Sequence, residues 1–452
     1  MGDFKVGFGR VNITPDFPVP LASYGTSKNR IHDRVLNELY FTAVAVTGTN
    51  GKTLLLTTYD ITQVRADMRD DLAERVQKEL GIDPDYFHLS GTHTHSSVDI
   101  WFDSDEIRAY VEDMKRKAVK ACRLALEDQK KAEIYVGETK TDRLNFVRHY
   151  IRADGTVTGD NYGYQSKAPS VKHLTAADNT LRIVKFVRQN PDGTPARDVV
   201  AVNWQAHDHL TGGGKKRDLA ADWSGAMRSW LESQHDCFAT FFQGCAGNVN
   251  PHSRIANENR TLNYLEHGRL LAGYVNEIYD NEKLKKLNAG EVATYREVFR
   301  AKKNTAESEK LANAKKLWAF RKVHGVDDAC KALALELGFH SPYHATAIVA
   351  RSEMKEDYFD IPLWVFRIGD LGWTAAPFEM FDQTGAQIRA ASPFPFTVTQ
   401  GYTDANFYYM PTETAFGYGC YEADTARYAC GTTEGIRDKM VEMLQKIKEE
   451  EK

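Results

Sequence analysis

The segment Tyr86-Phe-His-Leu-Ser-Gly-Thr-His-Thr-His95 is an apolar run that ends in two histidines separated by one residue. Aromatic and aliphatic residues bounded by glycine predict a β-strand over 86–90. If the strand continues, His93 and His95 face the same side about 7 Å apart, at a strand end where ligands collect in α/β sheets. Imidazole nitrogens are preferred ligands of Zn²⁺. The segment therefore indicates a metal site, with a hydrogen-bonded polar turn as the alternative.

A second pair of histidines has the same setting. His207 and His209 stand in Val202-Asn-Trp-Gln-Ala-His-Asp-His209, where a predicted strand runs into a glycine-rich loop. Two such motifs, each at a strand end, favour metal binding more than either does alone. A third segment, Phe242-Gln-Gly-Cys-Ala-Gly-Asn-Val-Asn-Pro-His252, is a predicted strand followed by turn-forming residues. Its backbone N–H groups either face an oxyanion or belong to a plain loop.

The apolar patterns predict alternating strands and helices. Runs rich in β-branched and aromatic residues indicate strands at 41–46, 53–59, 86–90, 181–187, 199–204, 238–242, 346–350, 363–368 and 397–400. Apolar residues at helical spacing indicate helices at 72–80, 107–121, 270–278 and 440–447. The Ala-, Lys- and Glu-rich stretch near 302–337 predicts a long helix or a helical hairpin at the periphery. The expected fold is α/β or mixed α+β, with mixed β-sheets flanked by helices.

Two glycine-rich segments invite comparison with nucleotide-binding loops. Gly48-Thr-Asn-Gly-Lys-Thr53 could cradle a phosphate, but a strand pattern follows it where a phosphate loop requires a helix. Asn50-Gly51 is a strong hairpin signal, so we predict a hairpin there. Gly7-Phe-Gly9 lacks the spacing of a dinucleotide-binding loop and is predicted to open the first strand.

Composition excludes several classes of protein. The 452 residues are 42% apolar and 27% charged, which is ordinary for a globular protein and excludes disordered and coiled-coil classes. The net charge of -4 makes nucleic acid an unexpected partner. Because no apolar run is long enough for a signal peptide or a membrane span, we expect a cytoplasmic protein without membrane insertion. The six cysteines contain no CxxC pair and are predicted to be reduced thiols.

Six segments resemble, in the order in which they occur, the catalytic domain of the neutral/alkaline ceramidase family. They are Gly7-Phe-Gly-Arg-Val-Asn-Ile-Thr-Pro15, Pro18-Val-Pro-Leu21, Leu89-Ser-Gly-Thr-His-Thr-His95, Asn203-Trp-Gln-Ala-His207, Ala221-Asp-Trp-Ser-Gly225 and Gln243-Gly-Cys-Ala-Gly-Asn-Val-Asn-Pro251. The resemblance continues through 363–369 and 397–422, so it covers nearly the whole chain. It implies a single catalytic domain over 1–452, with the helical stretch near 302–337 as an insertion.

The resemblance also implies one Zn²⁺ held by two histidines, a glutamate and a tyrosine. The corresponding residues of this chain are His93, His207, Glu379 and Tyr409. His95 would lie beside the metal as a substrate contact, and could pass a proton to the leaving amine.

Further site residues follow from the same resemblance. Arg148 would anchor a polar or anionic part of the substrate. Tyr418 and Tyr421 would stabilise the oxyanion together with a loop N–H. Ceramidases have a serine where this chain has Asn250. The resemblance therefore implies a divergent member in which metal-dependent hydrolysis persists, while ceramide is not the expected substrate.

Three hypotheses of function result. The first is a zinc-dependent hydrolase that cleaves an amide bond, or less often an ester bond, in a small, soluble, polar or anionic molecule. The second keeps the metal site for another reaction, such as elimination from a uronic-acid sugar. The third is a non-catalytic metal- or ligand-binding module. Nothing in the sequence specifies an oligomeric state.

Overall fold

The computed structural model describes residues 2–24, 27–160, 168–213, 215–258 and 260–449, and over these residues the chain has the predicted mixed α/β fold. The strands are β1 (Lys5–Asn12), β2 (Arg34–Val35), β3 (Tyr40–Thr47), β4 (Thr53–Tyr59), β5 (Phe87–Gly91), β6 (Lys130–Lys140), β7 (Phe146–Val147), β8 (His149–Arg152), β9 (Val157–Gly159), β10 (Ser170–His173), β11 (Thr180–Gln189), β12 (Pro195–Trp204), β13 (Asp218–Leu219), β14 (Cys237–Gln243), β15 (Val249–Asn250), β16 (Lys285–Leu287), β17 (Val292–Lys302), β18 (Tyr358–Ile368), β19 (Leu371–Ala375), β20 (Glu379–Met380), β21 (Phe396–Gln400) and β22 (Tyr409–Met410). The α-helices are α1 (Ala66–Leu80), α2 (Asp105–Glu127), α3 (Asp222–Gln234), α4 (Tyr264–Glu277), α5 (Ser308–His324), α6 (Asp328–Glu336), α7 (Pro342–Ser352), α8 (Asp382–Ala391), α9 (Glu413–Tyr418), α10 (Tyr421–Thr425) and α11 (Thr432–Glu449).

The largest sheet, in the part of the chain that the structure describes, has nine strands. Eight of them follow the order β14-β12-β11-β6-β1-β3-β4-β5, and β16 pairs with β6. The two edge pairs, β4/β5 and β12/β14, are parallel, and each is connected through a helix. The two edges approach each other, so that Thr58 Oγ1 of β4 lies 3.3 Å from Thr240 Oγ1 of β14. The carboxyl ends of β5, β12 and β14 therefore meet, and side chains that follow these strands converge.

The two faces of this sheet pack against different layers. On β3, Ala43 and Ala45 belong to a core shared with α1 and α2, whereas Val44 and Val46 belong to a core shared with a second sheet. The second sheet has the order β17-β18-β19-β21. Because side chains alternate along a strand, each central strand contributes to both cores. The architecture is therefore a helical layer, a large curved sheet and a smaller sheet.

Glycines allow the first strand to approach its covering helix. A β-carbon on Gly9 would lie 2.1 Å from the carbonyl oxygen of Ala121 in α2, and one on Gly7 would lie 1.9 Å from that of Ala125. Gly7-Phe-Gly9 thus lies inside the first strand, two residues after its start, and its glycines allow the close packing of the helix. The predicted hairpin is also confirmed, since β3 and β4 pair antiparallel across Gly51, whose φ is 75°.

One predicted strand is wrong. Residues 346–350 lie in α7, although they are rich in β-branched side chains. The Ser341 side chain accepts a hydrogen bond from the backbone N–H of Tyr343 and begins the helix. Ala345 and Ile348, three residues apart, then pack into a helical cluster with α5. A serine followed by proline was the signal for a helix start that strand propensity obscured.

The stretch near 302–337 forms α5 and α6 and leads into α7. All six cysteines are free thiols, as predicted, and five of them are buried. Within the described ranges, no helix combines the length and the apolar character that crossing a bilayer requires.

Candidate metal centre

One buried glutamine joins the two segments that carry the histidine pairs. Gln243, the last residue of β14, donates from Nε2 to the carbonyl of Ala206 at 2.8 Å and to that of Thr92 at 3.3 Å. The backbone N–H of His95 then donates to the carbonyl of Asp208 at 2.8 Å. The ends of β5 and β12 are therefore held side by side.

The backbone turns before it reaches the first histidine. β5 ends at Gly91, and His93 has a left-handed φ of 66°, so the strand does not continue through the motif. Such a conformation costs of order 1–3 kcal/mol in a residue with a β-carbon and clusters at functional sites. His93 donates from Nδ1 to the carbonyl of Thr62 at 2.7 Å, and His207 donates from Nδ1 to that of Val249 at 2.9 Å. Each imidazole therefore presents an unprotonated Nε2 that can bind a cation.

Glu379 faces both of these nitrogens from the start of β20. Its Oε2 lies 3.5 Å from Nε2 of His93 and 3.4 Å from Nε2 of His207. This oxygen is buried and has no hydrogen-bond donor among the described residues. Ligand atoms about 2.1 Å from a tetrahedral metal lie about 3.4 Å from one another, so the three atoms have the spacing of a zinc site. Burial, followed by the nearby Arg148 guanidinium, lowers the pKa of His207 to about 4, which keeps its imidazole neutral.

Two tyrosines lie beside this cluster. β20 and β22 pair in parallel with Glu379 and Tyr409 in register, so the predicted tyrosine ligand stands next to the glutamate. Burial raises the pKa of Tyr409 well above its ordinary value. Tyr402, which follows β21, was not predicted. Its ring centroid lies 4.1 Å from that of His93, its φ is 57°, and its buried hydroxyl has no hydrogen-bond partner in the described part of the chain.

His95 lies closer to the cluster than an extended strand would place it. Because the chain turns at His93, the two Nε2 atoms are 3.2 Å apart, and the spacing of about 7 Å expected from a continuous strand is wrong. The His95 ring lies 5.4 Å from that of His207 and 5.7 Å from that of His209. Burial and then the neighbouring imidazoles lower the pKa of His95 well below its usual range. One nitrogen from each of His93, His95 and His207 falls within 4.8 Å of the others, so His95 is a further candidate ligand.

Arg148 connects the histidine cluster to a buried ion pair. Its Nη1 lies 3.3 Å from Nε2 of His207, and its Nε donates to Oε1 of Glu422 at 2.7 Å. The second oxygen of Glu422 accepts from Nε2 of His149 at 3.0 Å. Tyr418 donates from its hydroxyl to Nδ1 of His149 at 2.8 Å. Tyr418 is thus linked to Arg148 through two intervening side chains, His149 and Glu422.

Two side chains of this network, those of His149 and Glu422, were not predicted as site residues. His149 and Glu422 are each one residue from a predicted site residue, Arg148 and Tyr421, and that adjacency was the available signal. The Tyr421 ring centroid lies 5.6 Å from that of Tyr409. Burial raises the pKa of Tyr421 to about 12, so its hydroxyl remains a hydrogen-bond donor at neutral pH.

The third predicted segment supports the glutamate. A β-carbon on Gly247 would lie 2.2 Å from the carbonyl oxygen of Glu379, so glycine is needed for this close approach. Asn250, in β15, donates from Nδ2 to a carboxylate oxygen of Asp160. The segment therefore packs against the backbone of Glu379, the carboxylate that faces the two histidines, and places an amide at the edge of the site.

Known protein structures share the fold of this chain, although no similar sequence was found. No model of a protein family matches the chain, and no curated protein matches it in sequence. The neutral ceramidase from Pseudomonas aeruginosa superposes with a TM-score of 0.72 and 17% sequence identity, over 100% of this chain and 75% of that protein. A structure of a ceramidase complexed with C2 gives a TM-score of 0.73 and 16% identity, over 100% of this chain and 76% of the other. The protein therefore has the fold of the neutral ceramidases.

Proposed function

We propose that this protein is a zinc-dependent hydrolase that cleaves an amide bond, or an ester bond, in a small polar or anionic molecule. The observation that carries the proposal is the Oε2 atom of Glu379, which has no hydrogen-bond donor among the described residues and faces two imidazole nitrogens at tetrahedral spacing. A site of two histidines and one glutamate is a known catalytic zinc arrangement. The likeness of the fold to ceramidases, which are amide hydrolases, supports the same class of reaction.

The ligands would be His93, His207 and Glu379, with Tyr409 as the predicted fourth and His95 beside them. When bound, zinc would activate water and polarise the scissile carbonyl. The Nδ1 hydrogen bonds to backbone carbonyls fix the tautomer of each histidine and orient its ring before the metal arrives. The site is therefore preorganised by the chain itself.

The surrounding residues have separate tasks in this proposal. Arg148 is held by the carboxylate of Glu422 and places its Nη1 3.3 Å from Nε2 of His207, where it would orient the substrate. Tyr421 would donate its hydroxyl hydrogen to the oxygen that gains charge in the transition state. His95 presents a neutral imidazole that would accept a proton from the attacking water and pass it to the leaving nitrogen. Asn250 offers an amide where ceramidases have a serine hydroxyl, which supports a substrate other than ceramide.

Product analysis tests the proposal. Zinc-loaded protein would be incubated with a panel of N-acyl amino acids, simple aryl esters and uronic-acid sugars, and the products identified by mass spectrometry. We expect one molecule of water to be added and an amine or alcohol to be released. Activity should fall at least about 100-fold in Glu379→Gln and persist in His324→Gln, an exposed histidine on α5. A conjugated elimination product from the uronic-acid sugars, without hydrolysis of any amide or ester, would contradict the proposal.

A further inference from the structure

A cavity of about 660 Å³ opens beside the metal centre. One wall comes from α5, which lies in the stretch predicted to be peripheral, and from α7, and the other comes from segment 408–427. Tyr409, which pairs with Glu379 across β20 and β22, lines the cavity together with Tyr421. Tyr24, a third lining residue, contacts His95 with ring centroids 5.5 Å apart. The cavity is therefore continuous with the site, and its volume suits a small molecule.

Aromatic side chains line the mouth of this cavity. Tyr24, Tyr343 and Tyr408 are 38%, 42% and 44% exposed, although most of each side chain is an apolar ring. Rigid aromatic rings supply contact area at low cost in conformational entropy and commonly contact ligands. The walls between them include Ala347 and Met354. This lining matches an aromatic or compact apolar group.

Two arginines in the same lining have no carboxylate partner among the residues that the structure describes. The Arg321 guanidinium lies 4.6 Å from the ring centroid of Tyr343 and donates to the hydroxyl of Thr346. The Arg427 guanidinium lies 4.8 Å from the ring centroid of Tyr408. Both side chains are half-buried, and within the described ranges neither forms an ion pair with a carboxylate. Each planar guanidinium can bind a carboxylate through two parallel hydrogen bonds.

The other charged groups of the cavity are already satisfied. Arg351 donates to the carbonyls of Asp424 at 3.0 Å and Ala426 at 2.9 Å, so it belongs to the fold. Asp160 forms an ion pair with Arg254 at 2.5 Å. The uncompensated charge of the described lining is therefore positive and comes from the two arginines at its mouth.

We propose that this cavity binds the part of the substrate remote from the scissile bond, and that this part is an aromatic or compact apolar group bearing a carboxylate. The rings would hold the apolar group while Arg321 and Arg427 pair with the carboxylate. The inference rests on the proposed function only in calling the ligand a substrate, because binding to the cavity can be measured without turnover.

The test compares carboxylates with their neutral counterparts. 4-Phenylbutyrate and naphthalene-1-acetate would be titrated into the protein by calorimetry, each beside its primary amide. A charge-assisted pair corresponds to about 10- to 100-fold in affinity, so we expect at least about tenfold tighter binding of the carboxylates. The preference should be lost in Arg321→Gln or in Arg427→Gln. It should persist in Arg300→Gln, a matched control whose guanidinium lies 5.1 Å from the ring of Tyr358 outside the cavity.

The same titrations separate this inference from the metal proposal. His93→Ala should lose zinc and keep the preference for carboxylates, since the cavity arginines remain. Equal affinity for carboxylates and amides, absence of binding by both, or a preference that survives both arginine substitutions would overturn the inference. If the wild-type protein does not bind zinc but keeps its preference for carboxylates, the cavity assignment stands, and only the proposed hydrolase function is contradicted.

Discussion

Gln243→Ala is the substitution that tests how the fold builds the metal centre. It removes hydrogen bonds of 2.8 Å and 3.3 Å and leaves the buried carbonyls of Ala206 and Thr92 without this donor. The loss of two hydrogen bonds, with both buried acceptors left unpaired, should lower the free energy of unfolding by about 2–4 kcal/mol. With an unfolding entropy of roughly 2.1 cal/mol/K per residue, a chain of this length should melt about 2–4 °C lower.

The informative quantity is the affinity for zinc. Because Gln243 positions the segments that carry His93 and His207, zinc should bind about 10- to 100-fold more weakly, as when other supporting partners of metal ligands are removed. Asn203→Ala is the matched control, since Asn203 also donates to two buried carbonyls, those of Phe242 and Thr399. It should destabilise the fold to a similar degree and leave zinc affinity unchanged. Competition titration with a chromophoric chelator measures the zinc affinity of both variants. Unaltered zinc affinity in Gln243→Ala, or an equal loss in Asn203→Ala, would refute the reasoning.

Three further predictions address other parts of the molecule. Glu422→Gln should lower turnover about 10- to 100-fold with zinc content unchanged, because Arg148 loses the carboxylate that holds it. Turnover equal to that of the wild type would contradict this prediction. Gly9→Ala should destabilise the protein by about 3 kcal/mol, measured by urea unfolding, because its β-carbon would overlap the backbone of α2, whereas Gly273→Ala, with open space around it, should be neutral or slightly stabilising. Burial opposes ionisation of Asp404, but the neighbouring histidine and arginine hold its pKa below the ordinary value. Its carboxylate therefore contributes stability above about pH 4, and this contribution is lost as the pH falls through the folded pKa. The difference in unfolding free energy between wild type and Asp404→Asn should shrink from pH 7 to about pH 3.5. A difference that stays constant over this range would contradict the lowered pKa.

The strands that carry the site could be predicted from the sequence more accurately than the geometry of the site. His93 and His207 were found because each follows an apolar run that forms a strand. The relation of His95 to His93 was not predictable from strand geometry, because it depends on a left-handed residue after Gly91. Periodicity alone cannot reveal such a turn.

Contacts between distant segments were the second gap. Gln243 and Glu422 act on residues 151 and 274 positions away, and no local pattern marks an amide or a carboxylate that will be buried. The helix at 342–352 shows the opposite case. A serine followed by proline marks its start, but the β-branched residues that follow favour a strand by propensity. What the sequence could not show was therefore long-range pairing, which only the packed fold defines.

The central claim is that His93 and Glu379 help to hold a zinc ion. Elemental mass spectrometry of freshly purified protein, never exposed to chelator, tests it most directly. We predict about one zinc per chain in the wild type and in His324→Ala, with loss of the metal in both His93→Ala and Glu379→Ala. Wild-type protein without metal, or zinc retained at the wild-type level in both site variants, would contradict the account.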